Sequence, residues 1–569
     1  MSPGSRFWAG LGLAGLVALQ LLPGLGASPI MRAEIYFLDG ARAMLERGDL
    51  SVPYFRGEPF FDKPPLTYWL IAGAFRALGA TALAARLVSV VAAAGTVLVT
   101  VALGLRLLGP RPALAGGLIL ATSFAFTSFG RLAMSDMLLT LLSTAAATLA
   151  LVAIEHPRGG PGLAALGAVL GLGFITKGPI GLLLPGLGIL ALAWQRRGEW
   201  PRPGAWLAAA ALLFAALGLS WYALAWWRLG GGPLAYFFLS ENLERFAGSR
   251  YDAGQPVWFY LPTYLAEGLP WSLFLPLACW RLLGRDGIRW LLVWSGAMLL
   301  LLSASRGKLD YYLLPLFPPL SLVLGELFTA HPWRRAERIW AGVVLAVCAA
   351  GLALATAVPG RLPAEWLPGA AASGAAAGAA LVGSALLVLA ARNPTPVRTL
   401  FPLAAASAAA FALVCGLFVP AFRRSQPNAQ VVADVSRELA FRPDARMALC
   451  DDPLLVARDV LFTSRLAVEE RCDLWAPASS SEPFLILLPE ERREDLMSVP
   501  AVRFVGRYRY LPATALTLRG LLAGQKPAEL ALIANYPTRD PISLRRNRKD
   551  RRRAVQERQS TRGDDGSVP

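Results

Sequence analysis

The sequence predicts an all-α polytopic membrane bundle of about thirteen transmembrane helices, followed by a small C-terminal α/β extramembrane domain. Three observations lead there. Of the 569 residues, 55% are hydrophobic and only 16% charged, against about 25% charged in an ordinary soluble domain. The apolar residues come in long blocks separated by short basic clusters; residues 112–130, 137–154 and 399–422 carry no charge at all. A spanning helix needs about 20 such residues, because in lipid every backbone group must be bonded within the segment. From about residue 423 onward the pattern changes, and charges recur every few residues.

Taken in order, the first span covers residues 7–26 and reads as an uncleaved anchor, since Arg6 stands alone before it and no small-residue cleavage site follows. Further spans centre near Val90, Leu120, Ala145, Leu170, Leu187, Leu212, Leu275, Met298, Leu320, Leu345, Leu381 and Ala408. The transmembrane region is therefore residues 1–422, with residues 27–65 as its first outer loop. Arginines at 106, 111, 158, 196, 197, 202, 281, 285, 289, 334, 335, 338, 392 and 398 fall in alternate loops, which places those loops in the cytoplasm. The net charge of +17 thereby reads as topology, and no nucleic-acid partner is expected.

Residues 423–536 form the α/β domain. Ala445 to Cys450, Phe484 to Leu488 and Val502 to Tyr510 read as strands, and Val431 to Leu439 and Leu454 to Phe462 as helices. An odd number of spans puts this domain outside. Cys450 and Cys472 are expected to pair there as a disulfide, on the side where oxidation is favoured. Residues 537–569 are a basic tail expected to be disordered. The remaining cysteines lie in apolar spans and the two histidines in short loops, so no zinc site of the multi-histidine kind is expected.

Chemistry is sought among charged groups near the spans, where they are costly. The first outer loop is the densest cluster. Ile35, Leu38, Met44 and Leu45 recur at helical spacing, as in an amphipathic helix lying at the interface, and Gly48 ends it. After it, Lys63 stands before Pro64 and Pro65, whose fixed backbone holds the cation at the membrane surface where it can meet a phosphate.

These motifs together resemble the GT-C superfamily of membrane glycosyltransferases, in the protein mannosyltransferase-like branch that includes aminoarabinose transferases acting on lipid A. The resemblance rests on Ala41-Arg-Ala-Met-Leu45, Phe60-Phe-Asp-Lys-Pro-Pro-Leu-Thr-Tyr-Trp69, Arg131 to Asp136, Lys177-Gly-Pro179, Asn242 to Phe246, and Ser305 to Pro315, over about residues 7–330. It implies a glycosyltransferase that moves a sugar from a polyprenyl-phosphate donor to a lipid or glycan acceptor of the cell envelope, at the periplasmic face of a multi-pass inner-membrane protein. A lipid-linked sugar transporter or flippase and a protein O-mannosyltransferase-like enzyme are the alternatives. Donor, acceptor and membrane lipids are the expected partners; no cofactor is fixed and a divalent metal is left open.

The implied catalytic carboxylates are Glu34 first and Asp136 second, with Asp39 as a third candidate. Where the family carries an Asp-Glu pair, this chain has Ala33 and Glu34. Asp39 lies five positions on, about 140° around a helix of 3.6 residues per turn, so it does not replace the missing aspartate. The loss points weakly to a phosphate-bearing acceptor, which needs no strong base. Lys63, Arg245, Arg306 and Lys308, with Lys177, are the candidates to neutralise the leaving phosphate. Asp62, Arg131, Asn242, Tyr311 and Tyr312 complete the substrate-binding set.

Overall fold

The computed structural model describes residues 3–28, 30–55, 57–156, 159–197, 199–200, 204–248, 254–329, 332–356, 370–415, 419, 426–449, 468–470, 475–499, 502–510 and 528–536. The predicted helix at 454–462, both members of the predicted disulfide and the basic tail lie outside these. The chain divides into two compact units. One comprises Met1–Gly26, Tyr36–Gly360 and Pro368–Val419; the other comprises Ala27–Ile35, Arg361–Leu367 and Pro420–Pro569.

The first unit is a helical bundle, and the protein is a polytopic membrane protein. Its long helices are α1 (Pro3–Leu21), α3 (Leu66–Leu78), α4 (Ala82–Leu107), α5 (Pro110–Ala121), α6 (Ser135–Ile154), α7 (Gly160–Lys177), α8 (Ile180–Gln195), α9 (Ala205–Leu229), α10 (Asp286–Ala304), α11 (Phe317–Thr329), α12 (Arg335–Ala355), α13 (Ala370–Arg392) and α14 (Pro396–Leu413). Helix α2 (Arg32–Arg47) precedes α3. Among the described residues, eight helices are long and apolar enough to cross a membrane, and four shorter apolar helices accompany them.

Local chemistry starts these helices where the sequence places it. Thr81 accepts the Ala84 N–H to cap α4, and Thr395 accepts the Arg398 N–H to cap α14. Prolines open α5 and α14, where a missing N–H costs nothing. Small residues then let helix backbones approach closely. A Cβ on Gly325 of α11 would lie 2.4 Å from the Pro112 carbonyl of α5, and one on Gly181 of α8 would lie 2.0 Å from the Gly173 carbonyl of α7. Buried tryptophans of α10 add hydrogen bonds to α8: Trp290 donates to the Gly188 carbonyl at 2.8 Å and Trp294 to that of Leu184 at 2.9 Å.

Two buried arginines fasten the end of α1. Arg131 donates to the carbonyls of Gln20, Leu21 and Pro23, and Arg86 to that of Leu25. Cations there satisfy carbonyls without intrahelical partners and complement the helix dipole.

The second unit contains a five-stranded sheet in the order β4-β3-β5-β7-β6, with β3 (Arg446–Leu449), β4 (Val468–Glu470), β5 (Phe484–Pro489), β6 (Arg503–Tyr510) and β7 (Ala528–Ala534). Strands β3, β4 and β5 run parallel, and β7 is antiparallel to both β5 and β6. Helix α15 (Asn428–Phe441) buries Val431 and Val435. Three of these strands and α15 lie where the sequence predicts them. Strand β7, at the heart of the sheet, has no counterpart in the sequence reading.

Candidate active site

One end of the bundle gathers the chemistry. The chain from α2 to α3 forms a short hairpin, β1 (Tyr54–Phe55) against β2 (Glu58–Pro59). This loop is tied down by side-chain donors: Trp69 to the Leu50 carbonyl at 2.6 Å, and Trp221 of α9 to the Ser51 carbonyl at 2.8 Å. Asp62 and Lys63 follow at the end of the loop, just before Pro64 and Pro65 start α3. Their side chains pair at 2.7 Å.

Asp136 lies in the first turn of α6, and Lys177 is the last residue of α7. Each suits the dipole of its own helix end. The two form a buried ion pair, and the Lys177 ammonium also lies 4.6 Å from the centre of the Tyr312 ring. The next residue, Gly178, has φ +64°, and a Cβ there would meet the Phe237 ring at 2.5 Å. Gly178→Ala is therefore expected to cost roughly 1–3 kcal/mol by overpacking, with further backbone strain. Thermal unfolding in detergent measures this, and an unchanged midpoint would show that the turn has room.

After α9, residues Tyr236–Glu244 form a π-helix, a rare winding that concentrates at functional sites. Here the Asn242 side-chain amide, Nδ2, donates to the Phe237 carbonyl at 2.7 Å. Glu241 and Arg245, four residues apart, pair at 2.5 Å, and Tyr236 donates to Glu241 at 3.0 Å. Arg245 also reaches Asp62 at 3.4 Å. The segment before α11 joins through its backbone, with Arg306 N–H donating to the Phe246 carbonyl and Gly307 N–H to that of Arg245.

These elements enclose a cavity of about 110 Å³, lined by Asp62, Lys63, Asp136, Lys177, Glu241, Asn242, Arg245 and Tyr312 among polar residues, over an apolar wall that includes Leu139, Leu184 and Leu302. Burial by itself would raise the Asp62 pKa. The Lys63 ammonium, a hydrogen bond with the Glu241 carboxyl and the Arg245 guanidinium outweigh it, and hold Asp62 well below the usual carboxylate range.

The cavity thus brings together Asp62, Lys63, Asp136, Lys177, Asn242, Arg245 and Tyr312 of the predicted set. The other members are not among its lining residues. Glu34 belongs to the second unit, and its carboxylate accepts the Met31 N–H at 2.9 Å at the start of α2. Asp39 pairs with Arg42 on α2 at 2.5 Å. Arg131 holds the end of α1. Lys308 donates to the Ser305 carbonyl, and Arg306 engages through its backbone; the cavity lining from this segment is Ser305 and Gly307. Tyr311 packs edge-on against Phe129 and Tyr312. Glu241 is the lining carboxylate that the sequence reading missed; its signal was the i,i+4 spacing to Arg245. Among the described residues no group of three or more His, Cys, Asp and Glu side chains is arranged to hold a metal ion.

This fold, a helical membrane bundle with a cavity of paired cations and carboxylates at one end, is shared with solved structures. The structure of ArnT from Cupriavidus metallidurans bound to undecaprenyl phosphate superposes with a TM-score of 0.70 at 20% identity, over 93% of this chain and 98% of that one; its apo state gives 0.69 at 19%. Residues 62–221 match the profile of the family described as dolichyl-phosphate-mannose-protein mannosyltransferase. In sequence, the chain is similar to the undecaprenyl phosphate-alpha-4-amino-4-deoxy-L-arabinose arabinosyl transferase of Pseudomonas paraeruginosa, 36% identical over 50% of this chain and 53% of the relative. The protein of the same name from Edwardsiella ictaluri is 34% identical over 51% and 54%. The chain thus spans about half the length of the curated relatives it matches. The resemblance read from the motifs is borne out.

Proposed function

We propose that this protein is a glycosyltransferase that moves a sugar of the aminoarabinose type from an undecaprenyl-phosphate carrier to a phosphate-bearing glycolipid such as lipid A. The reaction runs at the periplasmic face of the inner membrane, with the α/β unit on that side. The observation that carries this reading is the charge balance of the cavity. Lys63, Lys177 and Arg245 line it, and each lining carboxylate is tied to at least one of them: Asp62 to Lys63 and Arg245, Asp136 to Lys177, and Glu241 to Arg245. Such a site presents three fixed cations to an entering phosphate, while its carboxylates serve as their holders.

In the reaction, an acceptor oxygen forms a bond to the anomeric carbon of the sugar as the bond from that carbon to the carrier phosphate oxygen breaks. The electron pair stays on the leaving phosphate, whose added charge Lys63 and Arg245 neutralise; preorganised donors of this kind favour the transition state over the ground state. A general base works best with a pKa near the operating pH. Asp62, held far below that, stays ionised and positions its two cations. An acceptor phosphate is already anionic and brings its own nucleophilic oxygen, so the ion-paired carboxylates suffice.

Glu34 provides a check on the acceptor. With a phosphate acceptor, Glu34→Gln should reduce turnover by less than the ~10²–10⁴ that general acid–base catalysis supplies, and Asp39→Asn should keep most activity. A loss within that range for Glu34→Gln would establish a base and point to a hydroxyl acceptor. The reading as a whole is tested by incubating the purified chain with labelled undecaprenyl-phosphate aminoarabinose and lipid A. Mass spectrometry should find the sugar on an acceptor phosphate; release of no sugar to any envelope lipid would overturn it.

A further inference from the structure

A second feature lies at the end of the bundle away from the cavity. Helix α6 runs from Asp136 at the cavity to Ile154, where the neighbouring Glu155 pairs with Arg106 of α4 at 2.5 Å. At that end the N-terminal half of α1, the start of α5, the last residue of α11 and the start of α14 come together around an apolar groove of about 470 Å³. Gly12, Leu16, Leu118 and Leu400 are among its lining residues, and Arg111 supplies its charge. A second apolar groove, of about 250 Å³, runs along α1 between it and α4, and shares Leu13 and Leu114 with the first.

The cations here are placed against their helices. Arg111 stands in the first turn of α5 and Arg398 in the first turn of α14, beside the lining residue Val397. A helix N-terminus carries partial positive charge, so arginines there raise the local potential instead of offsetting it. Both are exposed, and neither forms an ion pair with the described residues. The glycines of this part of α1 are uncovered as well: a Cβ on Gly10, Gly12 or Gly15 would meet nothing within 4 Å. An apolar groove with an uncompensated arginine in its lining, continuous with a second apolar groove, complements a molecule with an anionic head and long apolar chains. Basic pockets between transmembrane helices on the arginine-rich face are known to suit such headgroups.

We infer that these grooves form a binding site for an anionic diacyl phospholipid of the leaflet on that face. Its phosphate sits against Arg111 and Arg398, and its acyl chains lie in the two grooves beside α1. The lipid completes the packing of the N-terminal half of α1, whose other end Arg86 and Arg131 already hold.

Native mass spectrometry of the full chain, titrated with phosphatidylglycerol or phosphatidylcholine, tests the site. The unmodified protein should retain phosphatidylglycerol at least about fivefold better, the factor that one surface cation supplies. Arg111→Gln, or Arg398→Gln as a second variant, should lose that preference. Gly12→Leu, whose Cβ enters open space in the groove lining, should lower retention of both lipids with Arg111 in place. Equal retention of the two lipids by the unmodified protein, or unchanged preference in both arginine variants, would overturn the site. Displacement of phosphatidylglycerol from this groove by undecaprenyl phosphate, abolished by Gly12→Leu, would overturn the assignment in favour of the carrier lipid.

Discussion

Replacing Lys63 by alanine is expected to reduce transfer by at least about 10²–10³, the usual cost of removing one preorganised donor to a developing oxyanion, while the protein still inserts and folds. The structure gives the reason for both halves. Lys63 is fixed by its place before two prolines and by its pairing with Asp62 at the cavity. Removing it leaves Asp62 still paired with Arg245, so no carboxylate is stranded in the interior and folding is spared. Steady-state transfer together with the thermal midpoint of the purified variant measures the effect. Normal turnover would remove Lys63 from the phosphate site; a collapsed midpoint would make it a structural cation.

The second large effect concerns Asp136 and Lys177. Their side chains are only 7% and 10% exposed, so removing one partner leaves a buried charge unpaired, at a cost of roughly 3–5 kcal/mol. Asp136→Leu and Lys177→Met alone should each lower the thermal midpoint strongly. The double variant should recover most of that stability, because an apolar pair of similar volume commonly replaces a buried ion pair without loss. Transfer should not recover with it, since the cavity has lost one of its three cations. Recovery of both stability and transfer in the double variant would show that the pair only holds α6 against α7.

Sequence by itself determined the membrane class, because hydrocarbon thickness and the demand for internally bonded backbone leave few ways to arrange long apolar blocks. It determined the α2 helix, whose Ile35, Leu38 and Met44 are buried and whose end falls at Gly48 with φ +67°. It also marked Lys63, Asp136, Lys177 and Arg245, since charges beside apolar spans are rare enough to stand out. What it could not decide was which of these charges face one another. Arg131 and Lys177 look alike as cations at the end of a span, yet one closes the end of α1 and the other lines the cavity, a difference fixed by partners about 110 and 41 residues away along the chain. Glu34 and Asp62 likewise both read as acidic residues of one loop, and only the tertiary structure places Asp62 between Lys63 and Arg245. Glu241 carried only its i,i+4 spacing to Arg245 as a signal, and the tertiary structure places it in the cavity lining. Strand β7 was hidden for the same kind of reason: its Ala-Glu-Leu-Ala-Leu-Ile-Ala run favours no strand locally, and becomes one because β5 and β6 offer it backbone partners on both sides.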